Sequence, residues 1–131
     1  MVLDSSALVA ILRNEPDAPI FRDAIADAMR MAISAMTLLE CRVVLWGRDG
    51  PAAVADLDLL VGSTRVAIHP FDAPQAQLAF AAYRRYGKGT GHRARLNLVD
   101  CASYALATSL DMPLLFKGQD FPHTDVRSAL A

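Results

Sequence analysis

Four of the fourteen acidic residues fall where an apolar run has just ended or a helical pattern is beginning. Asp4 closes the opening run of MVLDSSALVAIL, and Glu40 lies one turn into the helical spacing of SAMTLLEC. Asp100 starts the last long helical pattern, in LNLVDCASYALA, and Asp120 follows the apolar run of LLFKGQDF. Singly, each has an ordinary structural reading. Asp4 and Asp120 suit turns, because aspartate bonds its own backbone two residues on. Thr37-Leu-Leu-Glu40 matches a capping box, and Asp100 would complement the positive end of a helix, worth roughly 0.3–1 kcal/mol at an exposed site. Together they point to a shared edge: Asp4, Glu40 and Asp120 follow three different apolar runs on the carboxyl side, and Asp100 joins them if its helix starts there. Two carboxylates 4 Å apart repel by about 1 kcal/mol in water and about 4 kcal/mol at an effective dielectric of 20. A fold tolerates four only if some stay protonated or a divalent cation binds. The donors are all oxygen, with no His or Cys at matching positions, which favours Mg²⁺ or Mn²⁺ over zinc.

A second constellation is basic. Tyr83-Arg84-Arg85-Tyr86-Gly87-Lys88-Gly89 through His92-Arg93-Ala94-Arg95 concentrates cations and aromatic groups just before the Asp100 helix. Lys88, Arg93 and Arg95 suit phosphate binding, glycines let backbone approach, and the tyrosines offer stacking faces. The plainer reading is a helix end with basic side chains at its negative pole, which suits Arg84 and Arg85. Lys117, beside the last acid, either binds phosphate or balances charge. His69, His92 and His123 are scattered and read as structural or surface residues.

These groups need elements to position them. The pattern alternates short apolar runs with helical spacing: strands at Met1–Asp4, Met31–Ala35, Val66–Ile68 and Pro113–Phe116, with an edge strand at Asp125–Val126. Helices are expected at Ser6–Leu12, around Asp17–Arg30, at Thr37–Trp46 ending on Gly47, from Pro51 to Leu60, from Asp72 to Tyr86 and at Leu98–Leu110. Such alternation predicts an α/β fold with a mainly parallel sheet of four to five strands covered by helices on both faces. Ligands of such sheets bind beyond the carboxyl ends of the strands, which is where the acids fall.

The bulk properties fit one domain spanning residues 1–131. Of these residues 53% are hydrophobic and 21% charged, which describes a folded globule rather than a disordered chain. A formal net charge of −1 gives no global field for nucleic acid, so a polyanion would have to meet a local basic patch. The N-terminus lacks the basic start of a signal peptide, and no apolar stretch reaches membrane-spanning length. Cys41 and Cys101 fit no zinc or CxxC spacing and read as buried reduced thiols of a cytoplasmic protein. Trp46, Met29, Met31 and Met36 are expected in the core or a partner groove.

With these residues placed, the chain resembles the PIN-domain family, specifically the VapC-type toxins of bacterial toxin–antitoxin modules. The resemblance spans essentially the whole chain and rests on MVLDSSALVAIL, SAMTLLE, GHRARLNLVDCASYALA and PLLFKGQDF. It implies an α/β/α sandwich and a metal-dependent endoribonuclease, with Asp4, Glu40, Asp100 and Asp120 as the catalytic quartet that binds Mg²⁺ or Mn²⁺. Ser6 matches a small hydroxyl residue that supports the site. The resemblance also implies products with a 5′-phosphate and a 3′-hydroxyl, a homodimer, and a cognate antitoxin held in a hetero-oligomer. One departure is plain: the family's Gly-Asn-Asp-Phe reads Gly118-Gln119-Asp120-Phe121 here. Two other classes compete. A phosphatase using Asp4 as nucleophile is weakened by Ser6, which stands where an Asp-x-Asp start needs its second acid. A non-catalytic Mg²⁺-binding α/β module lacks the paired acids expected early in the chain.

Overall fold

A computed structural model describes residues 1–130. In chain order the elements are β1 (Val2–Leu3), α1 (Ser5–Leu12), α2 (Ala18–Asp27), β2 (Ala32–Ser34), α3 (Ala35–Asp49), α4 (Pro51–Ser63), β3 (Ala67–His69), α5 (Ala73–Tyr86), α6 (Leu98–Leu110), β4 (Leu114–Leu115) and a 3₁₀ turn at Phe121–His123. The four strands form one parallel sheet in the order β3-β2-β1-β4.

Alternation along each strand divides the core into two layers. Val2, Ala32 and Leu114 join Tyr86, Leu96 and Leu106 on the α5–α6 side. Their neighbours Leu3, Ile33 and Leu115 pack with α1, α2, α3 and α4 on the other. Successive strand residues point to opposite faces, so a run of two or three apolar residues serves both layers. The expected α/β/α sandwich is thus observed, with four strands.

Parallel strands place all their carboxyl ends on one edge. The short link after α6 pins its far end to the opposite, amino edge, where the Val2 N–H donates to the Pro113 carbonyl at 2.8 Å. The start of α6, with Asp100, therefore lies at the carboxyl edge. Asp4 is fixed there too, since its backbone N–H donates to the Leu115 carbonyl at 2.9 Å.

Several sequence expectations need correction. The helix of α3 passes through Gly47 and ends at Gly50, whose φ of +82° suits glycine, with Pro51 opening α4. An interior glycine costs about 1 kcal/mol relative to alanine, a cost that α3 carries at Gly47. Ser34, not Thr37, caps α3, its side chain accepting from the Met36 N–H, so Glu40 is no capping-box partner. No strand forms at Asp125–Val126; the last segment meets the sheet through a single bridge between Leu114 and Ser128. Trp46 is 62% exposed and Met29 stands clear of the protein, so neither fills the core, whereas Met31 packs on it. Both cysteines are buried and free, and burial raises both thiol pKa values, Cys101 to about 12.

Candidate active site

Each acid reaches the carboxyl edge by a different local device. Asp4 leaves β1 in extended conformation and caps α1: its Oδ2 accepts from the Ser6 N–H at 3.0 Å and from the Ser6 hydroxyl at 2.6 Å. The turn reading of Asp4 therefore holds, but it uses only one oxygen. Asp4 is 2% exposed, and its Oδ1 is buried without a hydrogen-bond partner. A polar oxygen left bare in a buried place is costly unless something answers it.

Glu40, half-buried on α3, accepts from the Ser5 hydroxyl of α1. Burial raises its pKa, the Ser5 hydrogen bond opposes this, and the charge of Asp4 adds to it. Asp100 sits in a reciprocal capping box: Asn97 Oδ1 accepts from the Asp100 N–H at 2.8 Å, and Asp100 Oδ2 accepts from the Asn97 N–H at 2.9 Å. Even so, burial pushes the Asp100 carboxyl up to about 7, the Asn97 bond resists, and the charges of Asp4, Glu40 and Asp120 add to the rise. Asp100 thus feels all three of the other acids, which identifies them as electrostatic neighbours.

Asp120 is exposed and precedes the 3₁₀ turn without capping it. Its loop is tied back through Lys117, whose backbone N–H donates to the Ser6 hydroxyl oxygen at 2.9 Å. The Lys117 ammonium pairs with Glu15 and, at 3.0 Å, with Asp17. This placement favours charge balance over phosphate binding for Lys117.

The quartet is grouped more loosely than a finished cage. Among the described residues, no three His, Cys, Asp or Glu side chains are gathered closely enough to hold an ion as they stand. What fits a hard cation is the chemistry of the donors: carboxylate oxygens only, mutually repelling, one of them buried and bare. A cleft of about 330 Å³ opens beside the serines that hold Asp4 and Glu40, lined by Ser5, Ser6, Val9, Val44, Arg48 and Lys117, with Glu15 at its side and none of the four acids in its wall. Roomier cavities, of about 430 and 650 Å³, lie at the amino edge around Met29 and Arg30 and hold no comparable constellation.

The basic loop closes on itself beside α6. Lys88 N–H donates to the Leu96 carbonyl, Leu96 N–H to Tyr86, and the Tyr83 hydroxyl to the Lys88 carbonyl. Gly87 is required by close approach, since a Cβ there would meet the Tyr83 carbonyl oxygen at 2.5 Å. Lys88, Arg93 and Arg95 are exposed and unpaired in the described residues. Tyr86, at 3% exposure, is a core residue in edge contact with His92 and Tyr104, so it offers no stacking face. Arg85 lies over the Tyr86 ring and pairs with Asp125. His92 is structural, its Nδ1 accepting from the Ala94 N–H.

Ser5 and Asn97 escaped the sequence reading. The Asn-x-x-Asp spacing of Asn97 and Asp100 was a visible signal, whereas the Ser5–Glu40 bond spans 35 positions and had none.

Comparison with known proteins shows the family and the fold. The PIN domain profile matches residues 1–127. A "Ribonuclease VapC" of Mycolicibacterium smegmatis is 50% identical over 126 residues, covering 96% of this chain and 97% of that protein. "Ribonuclease VapC28" of Mycobacterium tuberculosis is 46% identical over 130 residues, covering 99% and 98%. The crystal structure of Mycobacterium tuberculosis VapC20, described as a sarcin-ricin loop cleaving toxin, superposes with a TM-score of 0.80 over 95% of each chain, at 18% identity. With the sandwich fold and these full-length matches in agreement, the chain belongs to the PIN-domain family.

Proposed function

We propose that this protein is a metal-dependent endoribonuclease toxin acting in the cytoplasm, with Asp4, Glu40, Asp100 and Asp120 as its catalytic residues. The buried, unpartnered Oδ1 of Asp4 carries the reading, because it is a carboxylate oxygen that no protein group meets. The names of the relatives, ribonucleases at 46–50% identity over nearly the whole chain, support the same activity.

Asp4, Glu40 and Asp100 would hold Mg²⁺ or Mn²⁺, with Asp120 completing the set through water or orienting the attacking water. When bound, such an ion polarises a phosphate oxygen and lowers the pKa of a bound water. The chain's own residues do the rest. Ser6 fixes the rotamer of Asp4, Ser5 that of Glu40, and Asn97 that of Asp100. Lys88, Arg93 and Arg95 hold the RNA backbone beside the acids. Hydrolysis in line with the scissile bond leaves a 5′-phosphate and a 3′-hydroxyl.

A cognate antitoxin and a second copy of the chain are the proposed protein partners, in keeping with the VapC names of the relatives. Incubating the antitoxin-free chain with labelled structured RNA, with and without Mg²⁺ or Mn²⁺, tests the activity. Cleavage that needs the ion and vanishes in Asp4→Asn and Asp100→Asn is expected. A folded, metal-binding chain that cuts nothing in a broad RNA pool would instead favour the non-catalytic Mg²⁺-binding module.

A further inference from the structure

Thr37 and Ser103 are both completely buried, and their hydroxyls share a hydrogen bond of 2.9 Å across 66 positions of sequence. It is the one side-chain hydrogen bond between α3 and α6 among the described residues. Each hydroxyl lies three residues from a catalytic acid, Thr37 before Glu40 and Ser103 after Asp100. Residues three apart on a helix share a face about one turn from each other. The bond therefore sits one turn from each of two acids on two different helices.

The surroundings make the pair unusual. The helices that carry it bury apolar residues nearby in sequence, Leu38 and Cys41 on α3 and Cys101, Ala102 and Ala105 on α6, and valine and alanine at the pair would leave no polar groups to satisfy. An apolar contact tolerates sliding and rotation, whereas a buried hydrogen bond is directional, and losing one partner strands the other. Local devices already set the rotamers of the two acids, through Ser5 for Glu40 and Asn97 for Asp100. Neither fixes one helix against the other. The carboxylates also repel, so the two helices need a tie near the acids.

We infer that the Thr37–Ser103 hydrogen bond is a positioning pair that sets the separation of the Glu40 and Asp100 carboxylates for a divalent cation. This inference rests on the metal-dependent reading above. Neither residue touches the ion or the RNA; both act through the helices that carry the acids.

Mn²⁺ titration, following free Mn²⁺ by its paramagnetic resonance, tests it on the full chain and on Thr37→Val, Ser103→Ala, the double variant and Thr37→Ser, with thermal unfolding alongside. Each of the first two variants is expected to weaken Mn²⁺ binding about tenfold, the usual scale for groups that orient ligands. The double variant should bind no worse than the weaker single one, and Thr37→Ser, which keeps the hydroxyl, should bind like wild type. Unchanged Mn²⁺ affinity with a lowered Tm would overturn the inference and leave the pair a packing feature. If Thr37→Val does not fold, Ser103→Ala decides, because it removes only one oxygen. A wild-type chain that binds no Mn²⁺ would defeat the metal reading itself, a result distinct from wild-type binding that the variants leave untouched.

Discussion

The backbone N–H of Lys117 donates to the hydroxyl oxygen of Ser6, 111 positions earlier, and that same hydroxyl donates to Asp4. One serine thus ties the loop bearing Asp120 to the acid at the tip of β1. Ser6→Ala removes both bonds while leaving Asp4 capped by the residue 6 N–H. The expected result is a loss of about 1.5–3 kcal/mol in urea unfolding, the range for a hydrogen bond to a charged group, together with reduced RNA cleavage. Loss of stability with full activity would show that the hydroxyl serves the fold alone.

Asp100 makes the metal-free protein sensitive to pH. Its folded carboxyl titrates at about 7 against an unfolded value near 3.8, so the folded state binds the extra proton between them. The contribution is fully present below about pH 4 and is lost as the pH rises towards 7. Allowing for partial solvent access, the loss is on the order of 2 kcal/mol. Asp100→Asn should flatten this slope and leave the ion-free protein more stable than wild type at pH 8, measured by denaturation in EDTA.

Divalent cations should reverse that penalty. Mg²⁺ or Mn²⁺ at a hundred times its dissociation constant adds about 2.7 kcal/mol to a fold that binds it only when folded. The Tm of wild type should rise with added Mn²⁺ and fall back in EDTA, while Asp4→Asn should respond weakly or not at all.

The basic loop is testable by salt. Replacing Lys88, Arg93 or Arg95 with alanine should weaken RNA binding, and each should reduce the slope of log affinity against log salt by about one if its side chain meets a phosphate. Lys117→Ala should leave that slope unchanged, because its ammonium is already engaged by Glu15 and Asp17.

Trp46 is the chain's one tryptophan and sits on the exposed face of α3 with Leu39 and Val43. Trp46→Ala should change stability by no more than about 0.5 kcal/mol, as for other surface positions. The wild-type emission should report a solvent-exposed indole.

What the sequence made legible follows from the range of the interactions. The span of α6, Leu98–Leu110, is set by local spacing and matches the structure end to end. The strand-end position of Asp4 follows from three apolar residues and a serine pair. Less visible were features decided by partners far along the chain. Thr37 looks like a cap until Ser103 is found against it, and Lys117 looks free until α1 and α2 bring Glu15 and Asp17 to it. Tyr86 belongs to a basic, aromatic string, yet its side points into the α5–α6 core. Gly47 carries no signal separating a helix end from a tolerated interior glycine; the positive φ of Gly50 settles where α3 stops.

The strand order has a consequence for the making of the protein. β1 is synthesised first but lies between β2 and β4, and β4 is synthesised last. A growing chain on the ribosome carries Asp4 and Glu40 early, with their serine partners of α1 but without Asp100 and Asp120. Only when the segment bearing β4 and Asp120 has emerged can the sheet edge close and the four acids meet. Any chemistry that needs all four acids therefore waits until that last segment has been made and the sheet is complete.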